Sequence, residues 1–318
     1  VFSAPRSLRR LLARPGVLPM PCCHDALSAK LIQQAGFDVG FVSGFTTSAS
    51  MLGKPDTGLM TFAEMLTQTR AMVEALRDEG APIPLIVDGD TGYGNAMNVR
   101  RTVSAYASSG LGGVMIEDQS WPKSCGHVRK TSDAVVGRAE SARRIQAACD
   151  ARDSLCRSRE EGIVVLARTD AKQAVSMEEA AYRVQAFCEL GADMVFVDAL
   201  ETPGEMERIC ELAARYDVPV LANMLEGGKS PILSLEELEA LGFKLAAYPL
   251  SLLGVSIKAM QLALAGLRSG ALPPPEALPT FQAMQDVIGF APYFADLERY
   301  EAMGGEDGDT SATRSHRE

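Results

Sequence analysis

The sequence is short of basic side chains: 31 Lys and Arg stand against 41 Asp and Glu, a formal net charge of −10. That deficit excludes an extended nucleic-acid or anionic-membrane surface, either of which needs clustered cations. An anionic small substrate is not excluded, since it feels only the field of its own pocket. No long uncharged apolar run occurs, and the stretch Leu245 to Ile257 carries Pro249 and is too short to span a bilayer. No membrane association is therefore expected. No CxxC pair with zinc-finger spacing exists among the seven Cys, at positions 22, 23, 125, 149, 156, 188 and 210. So odd and scattered a set reads as reduced thiols in an intracellular compartment. A content of 47% hydrophobic and 23% charged residues rules out a largely disordered chain. The 318 residues suit one large domain or two of about 150.

The ends differ from the middle. The chain opens at Val1, which reads as trimmed or processed, and Arg6, Arg9, Arg10 and Arg14 precede the first acidic residue, Asp25. Residues 1–16 are expected to be either the remnant of an organelle-targeting segment or a basic helix capping the bottom of a barrel. The compartment is accordingly cytoplasmic or organellar, with plastid and mitochondrion both open. From Gly304 onward, GGEDGDTSATRSHRE has almost no apolar residue, and 304–318 is predicted to be a disordered tail.

Between the ends, short β-branched runs alternate with longer helical patterns. Candidate strands are Val17–Pro21, Val39–Ser43, Pro84–Asp88, Gly113–Glu117, Ile163–Ala167, Met194–Asp198, Val218–Ala222 and Phe243–Tyr248. Stretches such as AEMLTQTRAMVEAL and EEAAYRVQAFCEL carry helix periodicity. Gly36, Gly110, Gly191 and Gly242 stand where a helix stops just ahead of the next strand. AGFDVGFVS, SGLGGVMIED, LGADMVFVD and LGFKLAAYP are one βα unit written repeatedly, and strands apolar on both faces imply a parallel sheet covered by helices. The expected fold is α/β, a closed (β/α)8 TIM-type barrel rather than an open doubly wound sheet.

Polar residues fall where those strands end: Ser43-Gly44, Asp88, Glu117-Asp118, Arg168, Asp198 and Asn223. Barrel enzymes gather their sites at these ends, where the loops converge on one mouth. Helix N-caps account for one or two of them. They do not account for Arg168, a cation at the positive end of the following helix. Asp88-Gly89-Asp90-Thr91-Gly92-Tyr93-Gly94 sets two carboxylates at i and i+2 among glycines, with Glu117 and Asp118 on the next strand and Asp56 in GKPDTG after the second. Such a set repels itself unless a cation sits within it, and hard oxygen ligands suit Mg2+ or Mn2+. In Trp121-Pro122-Lys123-Ser124-Cys125-Gly126-His127 a Cys lies between Lys and His. There its thiolate is accessible and its proton transferable near neutral pH. Pro122 and Gly126 suit a loop that opens and closes over the mouth. Cys22-Cys23-His24 is not a metal site on this reading, because adjacent strand residues face opposite ways. The six other Cys read as small hydrophobes. Ser43-Gly44-Phe45-Thr46-Thr47 and the loop Asn223 to Ser230 offer backbone N–H groups and hydroxyls to carboxylate oxygens. Arg168 can hold a carboxylate bidentately. Together these residues call for a divalent metal and an anionic substrate with at least two chelating oxygens.

The pieces HDALSAKLIQQAGF, FVSGF, DGDTGYGN, IEDQSWPKSCGH, ARTDA, ANMLEGGKSP and AYPLS, in that order, resemble the isocitrate lyase / phosphoenolpyruvate mutase superfamily over roughly residues 17–295. The likeness is strongest to the petal death protein / 2,3-dimethylmalate lyase branch and extends to carboxyvinyl-carboxyphosphonate phosphorylmutase-like proteins. The resemblance implies a barrel over 17–265 and a C-terminal helical arm over 266–303 swapped onto a neighbouring subunit of a homotetramer. It implies Mg2+ held by Asp88 directly, with Asp90, Glu117 and Asp56 acting through water. It implies that Ser43, Gly44 and Phe45 bind a substrate carboxylate with Arg168, while Asn223 and Ser230 hold the other end. Gly126 and Asp198 join that substrate-binding set. Cys125 takes the place of the lyases' catalytic acid, with Lys123 and His127 beside it. The implied activity is Mg-dependent C–C cleavage of a 2-hydroxy dicarboxylate of the 2-alkylmalate type, with C–P phosphonomutase and oxaloacetate hydrolase as alternatives. Two departures stand out. Ser124 replaces a second loop cation, which should raise the Cys125 pKa. Leu252-Leu253-Gly254 lacks the Arg of tricarboxylate-handling relatives, which favours a dicarboxylate.

Overall fold

The computed structural model describes residues 2–77, 80–123 and 134–304. Eight parallel strands close in chain order: β1 Leu18–Cys23, β2 Gly40–Val42, β3 Leu85–Asp88, β4 Gly113–Glu117, β5 Val164–Thr169, β6 Met194–Val197, β7 Val220–Asn223 and β8 Leu245–Tyr248. β8 returns to β1, with Leu18 opposite Leu245 and Pro21 opposite Tyr248. This is the expected (β/α)8 barrel, with strand ends within two residues of the sequence reading. The helices between strands begin on side-chain caps: Asp25, Asn95, Thr202 and Ser234 each form a reciprocal capping box. Gly36, Gly110, Gly191 and Gly242 take left-handed φ of 84° to 95° at the helix ends, as their positions predict.

Successive strand residues point to opposite faces, and the two faces make two apolar layers. Inward lie Met20, Cys22, Phe41, Ile86, Met115 and Leu166, with Met194, Phe196, Leu221 and Leu245. Outward, against the helices, lie Cys23, Val42, Val87, Val114, Ile116 and Val165. The adjacent thiols Cys22 and Cys23 thus part company, and Cys23 Sγ meets Phe41 O at 3.4 Å and Met72 Sδ at 3.8 Å. Cys149, Cys188 and Cys210 are buried and Cys156 is partly so, as small hydrophobes. Parity has a consequence at the strand tops. Counting on in steps of two from Ile86, Met115, Leu166, Phe196 and Leu221 reaches Asp88, Glu117, Arg168, Asp198 and Asn223. One alternation pattern seals the barrel and arms its mouth.

The floor is closed by the helix Ala4–Leu12, whose Leu8 and Leu11 join the inward layer. Its Arg9 meets Asp193 at 2.9 Å, and Arg152 and Arg159 reach the same carboxylate at 2.8 and 3.0 Å. Against the opposing effect of burial, Arg9 and Arg152 together with the Val165 N–H hold Asp193 below the usual carboxylate range.

The chain divides into a compact unit Val1–Lys258 and a second unit from Ala259 on. Within the described residues the second unit comprises the C-terminal part of the helix Ser251–Arg268 and the helices Phe281–Ile288 and Phe290–Gly304. Residues 305–318, most of the predicted tail, lie outside the described residues. Among the described residues no helix is long and apolar enough to cross a membrane.

Candidate active site

The strand tops line a cavity of about 280 Å³ that includes Ser43, Asp88, Glu117, Arg168, Asp198 and Asn223. Close backbone approach sets β3 against its neighbours. Gly89 N donates to Met115 O at 2.8 Å, and a Cβ there would lie 2.7 Å from that oxygen, so only glycine fits. Gly44 opens the turn after β2 and donates its N–H to Asp88 Oδ2 at 3.2 Å; a Cβ on it would come within 2.7 Å of the same oxygen. Asp88 Oδ1 accepts from the backbone N–H of Asp90 at 3.0 Å, and Asp90 adopts a left-handed φ of 49°. Asp90 O then accepts from Glu117 N at 2.9 Å. A turn folded onto its own first carboxylate thereby brings Asp88, Asp90 and Glu117 together.

Charge is balanced unevenly across this mouth. Lys123 is buried, with its ammonium on Asp90 Oδ1 and 2.8 Å from Asp56 Oδ1. Burial opposes its charge, but Asp90, Asp88, Asp56 and Glu117 together drive its pKa well up, so it stays protonated. Burial pushes the Asp90 carboxyl up to about 7 against the pull of Lys123. Glu117, 1% exposed, is also pushed up by burial, and its Oε1 has no hydrogen-bond partner among the described residues. Such an orphaned hard oxygen, beside Asp88, Asp90 and Asp56, fits a hard divalent cation. With the Lys123 ammonium between Asp90 and Asp56, no group of three potential ligands stands ready for a metal among the described residues.

On the next strand, in register with Glu117, Arg168 forms a fork with Asp170, Nε to Oδ2 and Nη2 to Oδ1, both 2.9 Å. It also lies 3.4 Å from both Glu117 and Asp198. Burial works against its charge, but Asp170, Asp198 and Glu117 prevail and hold it more firmly protonated. Burial in turn raises Asp170 to about 6. Phe45, Phe196, Leu221, Leu225, Ala247 and Leu250 add apolar surface to the cavity wall, which Glu226 also lines.

Asp118 does not belong to the mouth. One residue out of phase with Glu117, it points to the helices and accepts from Thr169 Oγ1 at 2.5 Å, Asp170 N at 3.0 Å and Arg183 Nη1 at 2.9 Å. The reading of Glu117-Asp118 as two carboxylates of one cation site is thereby corrected to one. Two residues that the sequence reading passed over stand in or beside the site instead: Gln119, which lines the cavity and donates to Asp170 Oδ1 at 3.0 Å, and Asp170 itself. Each sits two residues beyond an inward-facing partner, Glu117 and Arg168, so strand parity could have found both. Ser43 caps the turn Gly44–Thr47 with its side chain and lines the cavity with Phe45. Ser230 is buried but is not among the cavity-lining residues. Cys125, Gly126 and His127 lie outside the described residues.

The phosphoenolpyruvate phosphomutase family model matches residues 8–268. The 2,3-dimethylmalate lyase of Eubacterium barkeri is 41% identical over 253 residues, covering 80% of this chain and 82% of that protein. A crystal structure of oxaloacetate acetylhydrolase with 3,3-difluorooxalacetate superposes with a TM-score of 0.83 at 31% identity, over 97% of this chain and 98% of that one. A phosphonopyruvate hydrolase bound to oxalate and Mg2+ superposes with a TM-score of 0.80 at 28% identity, over 94% and 99% of the two chains.

Proposed function

Because the chain belongs to the phosphoenolpyruvate phosphomutase family, we propose that it is a Mg2+-dependent carbon–carbon lyase. It cleaves a 2-hydroxy dicarboxylate of the 2-alkylmalate type into a 2-oxo acid and a carboxylate. The observation that carries this reading is the mixed wall of the cavity, in which the carboxylates and Arg168 stand beside Phe45, Phe196, Leu221, Leu225 and Leu250. An unsubstituted C4 oxo acid gives those apolar side chains nothing to bury, whereas alkyl branches at C2 or C3 gain about 0.8 kcal/mol per buried CH2. The relative named 2,3-dimethylmalate lyase supports the same substrate class.

Asp88, with Glu117, Asp90 and Asp56, would hold Mg2+ or Mn2+, which supplies Lewis-acid polarisation of the substrate oxygens when bound. Arg168, fixed in orientation by Asp170, faces a substrate carboxylate together with Ser43, the Gly44 region and Phe45. Asn223 at the top of β7 and Ser230 in the loop that follows are assigned to the far end, and Asp198 stands beside Arg168. Transfer of the C2 hydroxyl proton to a general base, with formation of the C2 carbonyl and cleavage of C2–C3, leaves an electron pair on C3 of the departing carboxylate. The Cys125 thiol donates its proton to that carbon, with Lys123, Gly126 and His127 in the same loop. The apolar wall keeps water from competing for the carbanion.

The helices beyond Lys258 are assigned to an arm, residues 266–303, exchanged between subunits of a homotetramer. Light scattering on the full chain, against one truncated after Ala265, tests that assembly. The deciding experiment for activity is a panel of 2,3-dimethylmalate, other C2- and C3-substituted malates, oxaloacetate and a phosphonate, each with Mg2+, with products identified by NMR. The expected outcome is cleavage of alkylmalates with a kcat/KM about 10-fold or more above that for oxaloacetate. Hydrolysis of oxaloacetate alone would replace this reading with the hydrolase, and turnover of the phosphonate alone with the mutase. A Cys125→Ser enzyme that keeps full turnover on every alkylmalate would remove Cys125 from the proton-transfer role.

A further inference from the structure

The oxygen set described above already contains a cation of the chain's own. The Lys123 side chain is 5% exposed, with its ammonium on Asp90 Oδ1 and 2.8 Å from Asp56 Oδ1, in the field of Asp88 and Glu117. The peptide that carries it is braced at a second point. Trp121 packs so tightly on Gly58 that a Cβ there would fall 2.4 Å from the indole Cη2, and Gly58 lies two residues beyond Asp56 in the chain. The segments bearing Lys123 and Asp56 are therefore joined by an ion pair and by a ring contact. One carboxylate oxygen in this cluster, Glu117 Oε1, is buried and unpartnered among the described residues, so the set is under-compensated even with Lys123 in place. A divalent ion and an ammonium cannot share the same few oxygens, because their repulsion in a buried site exceeds what either gains from one carboxylate.

We propose that Lys123 is a displaceable internal counter-ion: its ammonium occupies the carboxylate set of the metal-free protein and is expelled from Asp90 when a divalent cation binds, which moves the segment carrying Trp121 off Gly58. The inference rests on the assignment of the metal to Asp88, Asp90, Glu117 and Asp56. It makes metal affinity a competition and gives the segment Trp121–Lys123 a mechanical report of occupancy.

The test uses the full chain and two readouts other than turnover. Free Mn2+ is followed by electron paramagnetic resonance in titrations of the wild type, Lys123→Met and Lys123→Arg. Lys123→Met should bind Mn2+ at least about 10-fold more tightly than the wild type, while Lys123→Arg, which keeps the charge, stays within about 3-fold. Trp121 is the only tryptophan in the chain, so its emission in the wild type should change on saturation with diamagnetic Mg2+. That measurement decides the matter even if the variants fold poorly. Unchanged or weaker Mn2+ binding by folded Lys123→Met, or an unaltered Trp121 emission in Mg2+-saturated wild type, overturns the displacement. Absence of Mn2+ binding by every form overturns the metal assignment along with it.

Discussion

Replacing Asp118 separates a structural carboxylate from a chemical one more sharply than any other single change. Asp118 is 1% exposed and its partner Arg183 4%. In Asp118→Ala the guanidinium loses its 2.9 Å ion pair but keeps Glu179 at 2.8 Å and Val136 O at 2.8 Å. Breaking a buried pair costs about 3–5 kcal/mol, and the surviving partners put this case near the lower end, about 3 kcal/mol. The Asp170 N–H, now without its acceptor, adds about 1 kcal/mol. A total of about 4 kcal/mol in a barrel of this size lowers Tm by about 8–16 °C. Asp118→Asn, which keeps the shape, should lose roughly half as much. Thermal unfolding by circular dichroism measures the loss, and Mn2+ titration of the same samples measures the site. The reasoning requires a large fall in Tm with metal affinity within about 3-fold of the wild type, since Asp118 faces away from the cation set. A variant that melts within about 2 °C of the wild type but binds Mn2+ ten times more weakly would place Asp118 in the mouth and refute the parity argument.

Arg168→Lys cannot reproduce the two 2.9 Å bonds to Asp170, and kcat/KM on the accepted alkylmalate should fall about 100-fold; a loss under about 3-fold would count against carboxylate binding there. Burial raises the Asp90 carboxyl to about 7 and pushes Glu117 up as well, so divalent metal binding should release protons near neutral pH, and fewer as the pH rises. Calorimetry in buffers of different ionisation enthalpy reads that release, and none at pH 7 would contradict the raised carboxyl. The Asp90 carboxyl makes the metal-free fold bind more protons than the unfolded chain, so its contribution to stability falls as pH rises from about 4 to about 7; the urea midpoint of the wild type relative to Asp90→Asn should fall across that window. Ala247→Leu projects from β8 into the apolar wall, and kcat/KM for 2,3-dimethylmalate should drop about 10- to 100-fold while that for oxaloacetate stays within about 3-fold; an equal loss on both would mean that the wall does not read alkyl groups.

What could be read from the chain was governed by range. Strand parity is local, and it alone places Asp88, Glu117, Arg168, Asp198 and Asn223 on one rim. Applied strictly it would also have turned Asp118 outward, since Val114 and Ile116 already mark that face, and it would have drawn in Gln119 and Asp170. Helix ends were legible for the same reason: the capping boxes and Gly36, Gly110, Gly191 and Gly242 are signals within a few residues. Lys123 was legible as a charge near Cys125 but not as the partner of Asp90, 33 residues away. Nothing in the neighbourhood of Asp193 announces that it collects Arg9, Arg152 and Arg159 from three separate segments. Ser230, in a loop with no alternation to fix its phase, could be placed at the far end of a substrate only by likeness.

The floor helix constrains how the protein comes to exist. Leu8 and Leu11 fill a layer completed by Leu245, Arg9 waits for Asp193, and the carbonyls of Arg14 and Gly16 wait for the ammonium of Lys244, 228 residues downstream of Gly16. At ribosomal speeds of about 5–20 residues per second, the N-terminal helix spends on the order of 10–50 s outside the tunnel before its seat is complete. Through that interval an amphipathic, basic segment carries exposed leucines with no native place to put them. The nascent chain, more than the finished barrel, is therefore the form in which this apolar surface stands open to aggregation.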